Sequence, residues 1–290
     1  MNDGAAGYPI GGSLEFSKAI ERRYLDLGGE LQYKARVARI LVDANKAVGV
    51  RLEDGSEHRA DFVVAAGDGH AAIFDLLEGK YADDTIRGYY EKLTPFPPLV
   101  FVALGINRSF DDLPVLISSL HVEFGRPLQL ADRMLNGIGL HVFNQDPGLA
   151  PSGRTMVVCM FPTDYSWWKS LHQDAQRYHA VKEEIADKLI EAIERRFPGI
   201  GAQIEMRDVA TPLTFERFTG NWKGSFEGWM TTPHTWMLNM KKNLPGLGNF
   251  WMCGQWVEPG GGLPPAALSG RNVVQFICAQ DRKSFVTTVP

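Results

Sequence analysis

Asn249-Phe250-Trp251-Met252-Cys253-Gly254-Gln255-Trp256-Val257, then Glu258-Pro259-Gly260-Gly261-Gly262-Leu263-Pro264-Pro265, then Ala266 to Ala279, is the stretch whose reading decides the fold. Phe250, Met252 and Trp256 carry a short buried strand that must stop at Cys253-Gly254. Three consecutive glycines have no Cβ, so the backbone there can take positive φ and let a flat molecule approach. Pro264 and Pro265 suit the first turn of a helix, where a missing N–H loses nothing. The N–H groups of that turn and the helix dipole favour an anion or an electron-rich carbonyl in front of them.

The spacing is not a phosphate loop, because no Gly-Lys-Ser/Thr follows, and Gly260-Gly261-Gly262 is not spaced as G-x-G-x-x-G. On chemistry alone a structural turn and a ligand cradle are equally good readings. The string from Gly254-Gln255-Trp256 through Gly260-Gly261-Gly262-Leu263-Pro264-Pro265 to Ser269-Gly270 resembles the C-terminal flavin segment of the phytoene desaturase and carotenoid isomerase family. These are FAD-dependent oxidoreductases of the flavin amine oxidase superfamily. The resemblance places Gly254, Gln255, Gly260, Gly261, Gly262, Leu263, Pro264 and Ala267 at the cofactor. Gln255 stands where many relatives carry an acid, so a polar contact there would be made by an amide.

Working outward, Leu14, Ile20, Tyr24 and Leu27 predict a helix capped by Ser13 and stopped by Gly28-Gly29. Strands are expected at Glu30–Tyr33, Val37–Val42 and Ala47–Leu52, with an Asp54-Gly55 hairpin turn after them. Val63-Val64-Ala65-Ala66 is apolar on both faces, as in a covered and often parallel sheet, and His70 to Leu77 starts a helix. The order of these pieces also resembles the middle of those flavoproteins. It implies Val37 on the adenine side, with Ala66 and Gly67 near the dinucleotide, although position by position a core role fits these residues better. Asp68 and His70 could form an acid/base pair, but at a strand-to-helix turn they read better as capping groups.

The centre has a different texture. Strands are expected at Leu99–Leu104, Leu113–Phe124, Gly137–Asn144, Thr155–Phe161 and Ile204–Val209. Thr163 to Trp168 reads as a turn carrying two indoles. Asp174 to Phe197 is the clearest helix, with Tyr178, Val181, Ile185, Leu189, Ile193 and Phe197 on one stripe. Thr211 to Trp229 reads as a loop rich in glycine and aromatic residues, suited to closing over a flat or greasy molecule. Trp222, Phe226 and Trp229 are its candidate substrate-binding residues, and packing of a domain junction explains them equally well. Glu216 and Arg217 either pair or orient a substrate.

The 290 residues carry a net charge of −4 and 44% apolar residues, which gives no basic surface for nucleic acid. Three cysteines without metal or CxxC spacing point to a reducing, cytoplasmic setting, and the seven histidines show no metal spacing. No G-x-G-x-x-G unit with its acidic ribose partner is evident. The expectation is an α/β (α+β) chain. It would hold an incomplete FAD-binding Rossmann-like domain (1–80 and 245–290) and a mixed-sheet substrate domain (81–244). The resemblance implies the C-terminal part of an FAD oxidoreductase using hydride transfer on an apolar, carotenoid or polyprenoid, substrate. No catalytic residue is assigned, and none is required of a flavin reaction in an apolar pocket. Isolated, the chain would bind FAD weakly or not at all. Its expected partners are the substrate, a membrane surface for substrate uptake, and a missing N-terminal half or a second copy. Two alternatives are a non-catalytic lipid- or prenyl-binding protein like Rab GDP dissociation inhibitors, and one subunit of a split flavoenzyme.

Overall fold

The computed structural model describes residues 8–113, 119–236 and 238–287. The chain is a mixed α/β protein that divides into two compact units. One comprises Met1–Tyr33 and Leu99–Leu213, the other Lys34–Pro98 and Thr214–Pro290.

The first unit is built on five antiparallel strands: β5 (Leu99–Ile106), β6 (Ser119–Leu130), β7 (Arg133–Val142), β8 (Thr155–Pro162) and β9 (Ile204–Ala210), in the order β6-β7-β8-β5-β9. Val100, Val102, Leu104 and Ile106 alternate along β5 and are almost wholly enclosed. They share one core cluster with Ile185 and Leu189 of the long helix α4 (Ala175–Arg196). Asp174 caps α4 by accepting the Arg177 N–H at 2.9 Å, and the six apolar residues of the expected stripe are all buried. Helix α1 (Gly12–Asp26) buries none of its residues, and Gly28 at φ 85° ends it.

The second unit holds a three-stranded antiparallel sheet of β1 (Val37–Asp43), β2 (Lys46–Leu52) and β3 (Glu57–Arg59). Beside it β4 (Val63–Ala65) pairs in parallel with β10 (Phe250–Met252), Met252 opposite Ala65. Helices α2 (Asp84–Lys92) and α6 (Leu263–Gln280) complete it, with a π-helical turn at Ala71–Asp75.

Several expectations need correction. Glu30–Tyr33 forms no strand. Ser13 lies inside α1, whose N-cap is Gly11 in a left-handed conformation without a side-chain bond. The two indoles of Thr163–Trp168 sit on helix α3 (Tyr165–Leu171), because Asp164 accepts the Trp167 N–H at 2.8 Å and nucleates it. Trp168 is fully enclosed there and donates to Thr163 at 2.8 Å. Thr211–Trp229 is not all loop: Pro212–Thr219 forms helix α5, with proline at its first position. Helix α2 was not anticipated from its sequence, although Asp83 caps it through the Ile86 N–H at 2.8 Å. Of the strand expected at Leu113–Phe124, residues 114–118 lie outside the described residues, and the described strand begins at Ser119. No helix among the described residues is long and apolar enough to cross a membrane.

Candidate functional site

The carboxyl ends of β4 and β10 lie side by side in the second unit, since the two strands run parallel. Such ends are where α/β sheets leave a crevice for ligands. Ladder hydrogen bonding continues past the strands, with the Cys253 N–H donating to Ala65 O at 3.0 Å. Gly254 follows at φ 97°, beside the Ala66 carbonyl. Its N–H donates to the Ser269 hydroxyl at 2.7 Å, and that hydroxyl donates to Ala266 O at 2.7 Å. A fully buried serine on α6 therefore fixes the strand end against the helix.

Val37, Ala66 and Gly67 line one cleft of about 660 Å³, together with Asp68, Glu216 and Arg217. Asp68 is buried, and burial raises its pKa above the ordinary carboxylate value. Its two oxygens accept the N–H groups of Ala71 at 2.7 Å and Trp222 at 2.8 Å, which is the capping role. His70 stacks on Trp222, with ring centroids 5.1 Å apart and planes 9° apart.

Gly260, Gly261 and Gly262 all have positive φ, at 114°, 65° and 89°. Gly262 is the N-cap of α6, and Pro264 and Pro265 lie in the first turn. Gly262, Leu263, Pro264 and Ala267 are exposed, whereas Gly260 and Gly261 are half-buried beneath Thr231 and Glu227. The aromatic segment runs directly along this bend. Gly260 N–H donates to Trp229 O at 2.9 Å, and the Trp229 indole donates to Trp256 O at 3.1 Å. A Cβ on Gly228 would collide with the Gln255 carbonyl, and one on Gly261 with the Glu227 carboxylate. Trp229 is fully enclosed between Trp256 and Tyr90, while Trp222 and Phe226 are half-buried. The Gln255 amide donates to Asn221 Oδ1 at 3.1 Å, which binds that side chain within the unit.

These residues fit a flavin in two respects. The bend offers backbone without side chains, and the positive end of the α6 dipole suits an electron-rich ring edge. Sequence reading missed Ser269, Asn221, Glu227 and the buried Lys242, whose ammonium pairs with Glu258 at 2.8 Å. Among the described residues no group of three or more His, Cys, Asp or Glu is placed to hold a metal.

Residues 1–278 match the family model of the flavin containing amine oxidoreductases. The chain belongs to this family. Curated relatives of the chain include the chloroplastic prolycopene isomerase of Arabidopsis thaliana, 28% identical over 99% of this chain and 48% of the relative. The neurosporene-forming phytoene desaturase of Rhodobacter capsulatus is 27% identical over 93% of the chain and 53% of the relative. The chain thus spans about half the length of these relatives. An oxidoreductase from Methanosarcina mazei shares the fold with a TM-score of 0.58, at 19% identity over 92% of this chain and 55% of that one. Cyclohexylamine oxidase from Brevibacterium oxydans does so at 0.53, with 14% identity over 94% and 53% of the two chains.

Proposed function

We propose that this chain is the substrate- and flavin-contacting C-terminal part of an FAD-dependent oxidoreductase of the carotenoid desaturase/isomerase type, acting on an apolar polyene. The supporting observation is the bend Gly260–Gly262, all at positive φ, set at the exposed mouth of α6 beyond the parallel ends of β4 and β10. Bound FAD would supply the hydride-accepting ring. The glycines would let the ring edge reach the backbone, and the dipole of α6 would stabilise negative charge developing on that edge. Val37, Ala66 and Gly67 would line the adenosine side of the cofactor. Trp222 and Phe226 would give the substrate an apolar wall that keeps water out.

The names of the curated relatives favour catalysis over the prenyl-binding reading. Free cysteines at Cys159, Cys253 and Cys278 support a reducing compartment such as the cytoplasm. Alone, the chain is expected to bind FAD weakly or not at all. Joined to the nucleotide-binding half of a relative, it should purify yellow and shift the visible absorption of a polyene substrate. A chimera that folds but stays colourless in saturating FAD would overturn the reading.

A further inference from the structure

The Glu227 carboxylate lies against Gly261, where an added Cβ would meet its Oε2 and Cδ, and the adjoining N–H of Gly262, the N-cap of α6, favours its ionised form. That is the position an electron-rich ring edge needs if it is to meet the start of this helix. One N–H cannot serve a carboxylate and a ring carbonyl well together, and two electron-rich groups in one slot repel. We propose that Glu227 is a positioning residue for the flavin: its ionised carboxylate holds the slot in front of α6, and the ring enters only when Glu227 carries a proton.

The environment of Glu227 suits this role. Burial is the first cause of its raised pKa, and the Gly262 N–H opposes that rise. Neither cause is a charged side chain. Of the charged groups on these segments, Lys242 and Glu258 close on each other at 2.8 Å, and the Lys223 ammonium lies over the Trp222 ring. Ser225 donates to the Phe96 carbonyl at 2.8 Å, and Thr231 lies over Gly260. Protonated, Glu227 becomes a donor and can face a ring carbonyl instead of repelling it.

This inference rests on the flavin-binding reading above, and the test separates the two. FAD is titrated by equilibrium dialysis, to millimolar concentration, into the 290-residue chain and its Glu227→Gln and Glu227→Ala variants between pH 5.5 and 8.5. Thermal melts confirm that each variant is folded. If only the protonated form admits the ring, the wild-type Kd rises by up to about tenfold per pH unit above the Glu227 pKa. Glu227→Gln, permanently neutral, should give a flat profile and bind at least tenfold more tightly than wild type at pH 8.5. A purely structural cap predicts the reverse, with both variants binding more weakly than wild type at every pH and the pH slope kept. That result, or equal Kd values for wild type and Glu227→Gln at all pH values, overturns the role of Glu227 while leaving flavin binding intact. Where the isolated chains bind no FAD, the same titration is run on the three chimeras carrying the nucleotide-binding half of a relative, and absence of FAD binding there overturns the inference and the flavin reading together.

Discussion

Asp68 Oδ2 accepts the backbone N–H of Trp222 at 2.8 Å, tying the turn after β4 to a segment 154 residues further along the chain. The same carboxylate holds the Ala71 N–H through Oδ1 at 2.7 Å. One buried side chain therefore fixes both the end of the strand and the start of the aromatic run. Replacing it with alanine leaves two buried donors without an acceptor, each costing about 1–3 kcal/mol. Asp68→Ala should lower the urea midpoint of the tryptophan-fluorescence transition markedly. A midpoint unchanged from wild type would show that the two N–H groups find other partners.

Asp68 also gives stability a pH dependence. Burial raises its folded pKa above the ordinary carboxylate value, so the folded chain holds this proton more tightly than the unfolded chain. The stability gained from that difference is complete below the unfolded pKa and is lost as pH rises through the folded value. Asp68→Asn should remove this share of the decline, giving a shallower fall of melting temperature as pH rises from about 4. An unaltered slope would count against the raised pKa.

Gly228 and Gly261 should respond differently to alanine. At Gly228 the added methyl meets the Gln255 backbone carbonyl, which cannot move away cheaply. The loss expected there is about 1–3 kcal/mol or more. At Gly261 the obstacle is the flexible Glu227 side chain, and φ is 65°. Removing the obstacle by Glu227→Ala should recover part of the loss and leave only the left-handed backbone cost of about 1–2 kcal/mol. Strict additivity of the two substitutions would contradict the contact.

The first unit depends on the seam between α4 and its sheet. Leu189 is fully enclosed in the cluster that includes Val102 and Leu104. Leu189→Ala should cost about 2–5 kcal/mol in chemical denaturation. A cost below about 1 kcal/mol would mean that the seam is loosely packed.

Leu14 is 63% exposed, Ile20 58% and Leu27 69%, although they lie on the predicted apolar face of α1. Surfaces of this kind associate. Light scattering of the isolated chain should show mass rising with concentration, and Leu14→Glu with Ile20→Glu should reduce the rise. A clean wild-type monomer at high concentration would contradict the expectation.

Strong periodicity made much of the fold legible. The stripe Tyr178–Phe197, the alternation along β5 and the proline-opened helix after Gly262 all stand where their patterns put them. Local chemistry misled where capping outweighed composition. Asp164 and Pro212 start helices in stretches that read as loop, because one well-placed acceptor or a pre-set φ outweighs aromatic and glycine content. α2 escaped notice because only Ile86 of its nine residues is buried, which leaves little apolar stripe to read. At the candidate site the three glycines take the positive φ that their missing side chains allow. Ser269, Asn221 and Glu227 were not legible, because polar residues gain their meaning from partners distant in sequence. Ser269 answers Gly254, Asn221 answers Gln255, and Glu227 answers Gly262.

The central claim is that a flavin ring meets the backbone at the start of α6. Hydrogen-exchange mass spectrometry of the chain, with and without millimolar FAD, tests it most directly. The account predicts slowed exchange in peptides covering Gly254–Ala267 and the end of β4, with the rest of the chain unchanged. Protection confined to the five-stranded sheet and α4, or no protection under conditions where FAD binds, would contradict it.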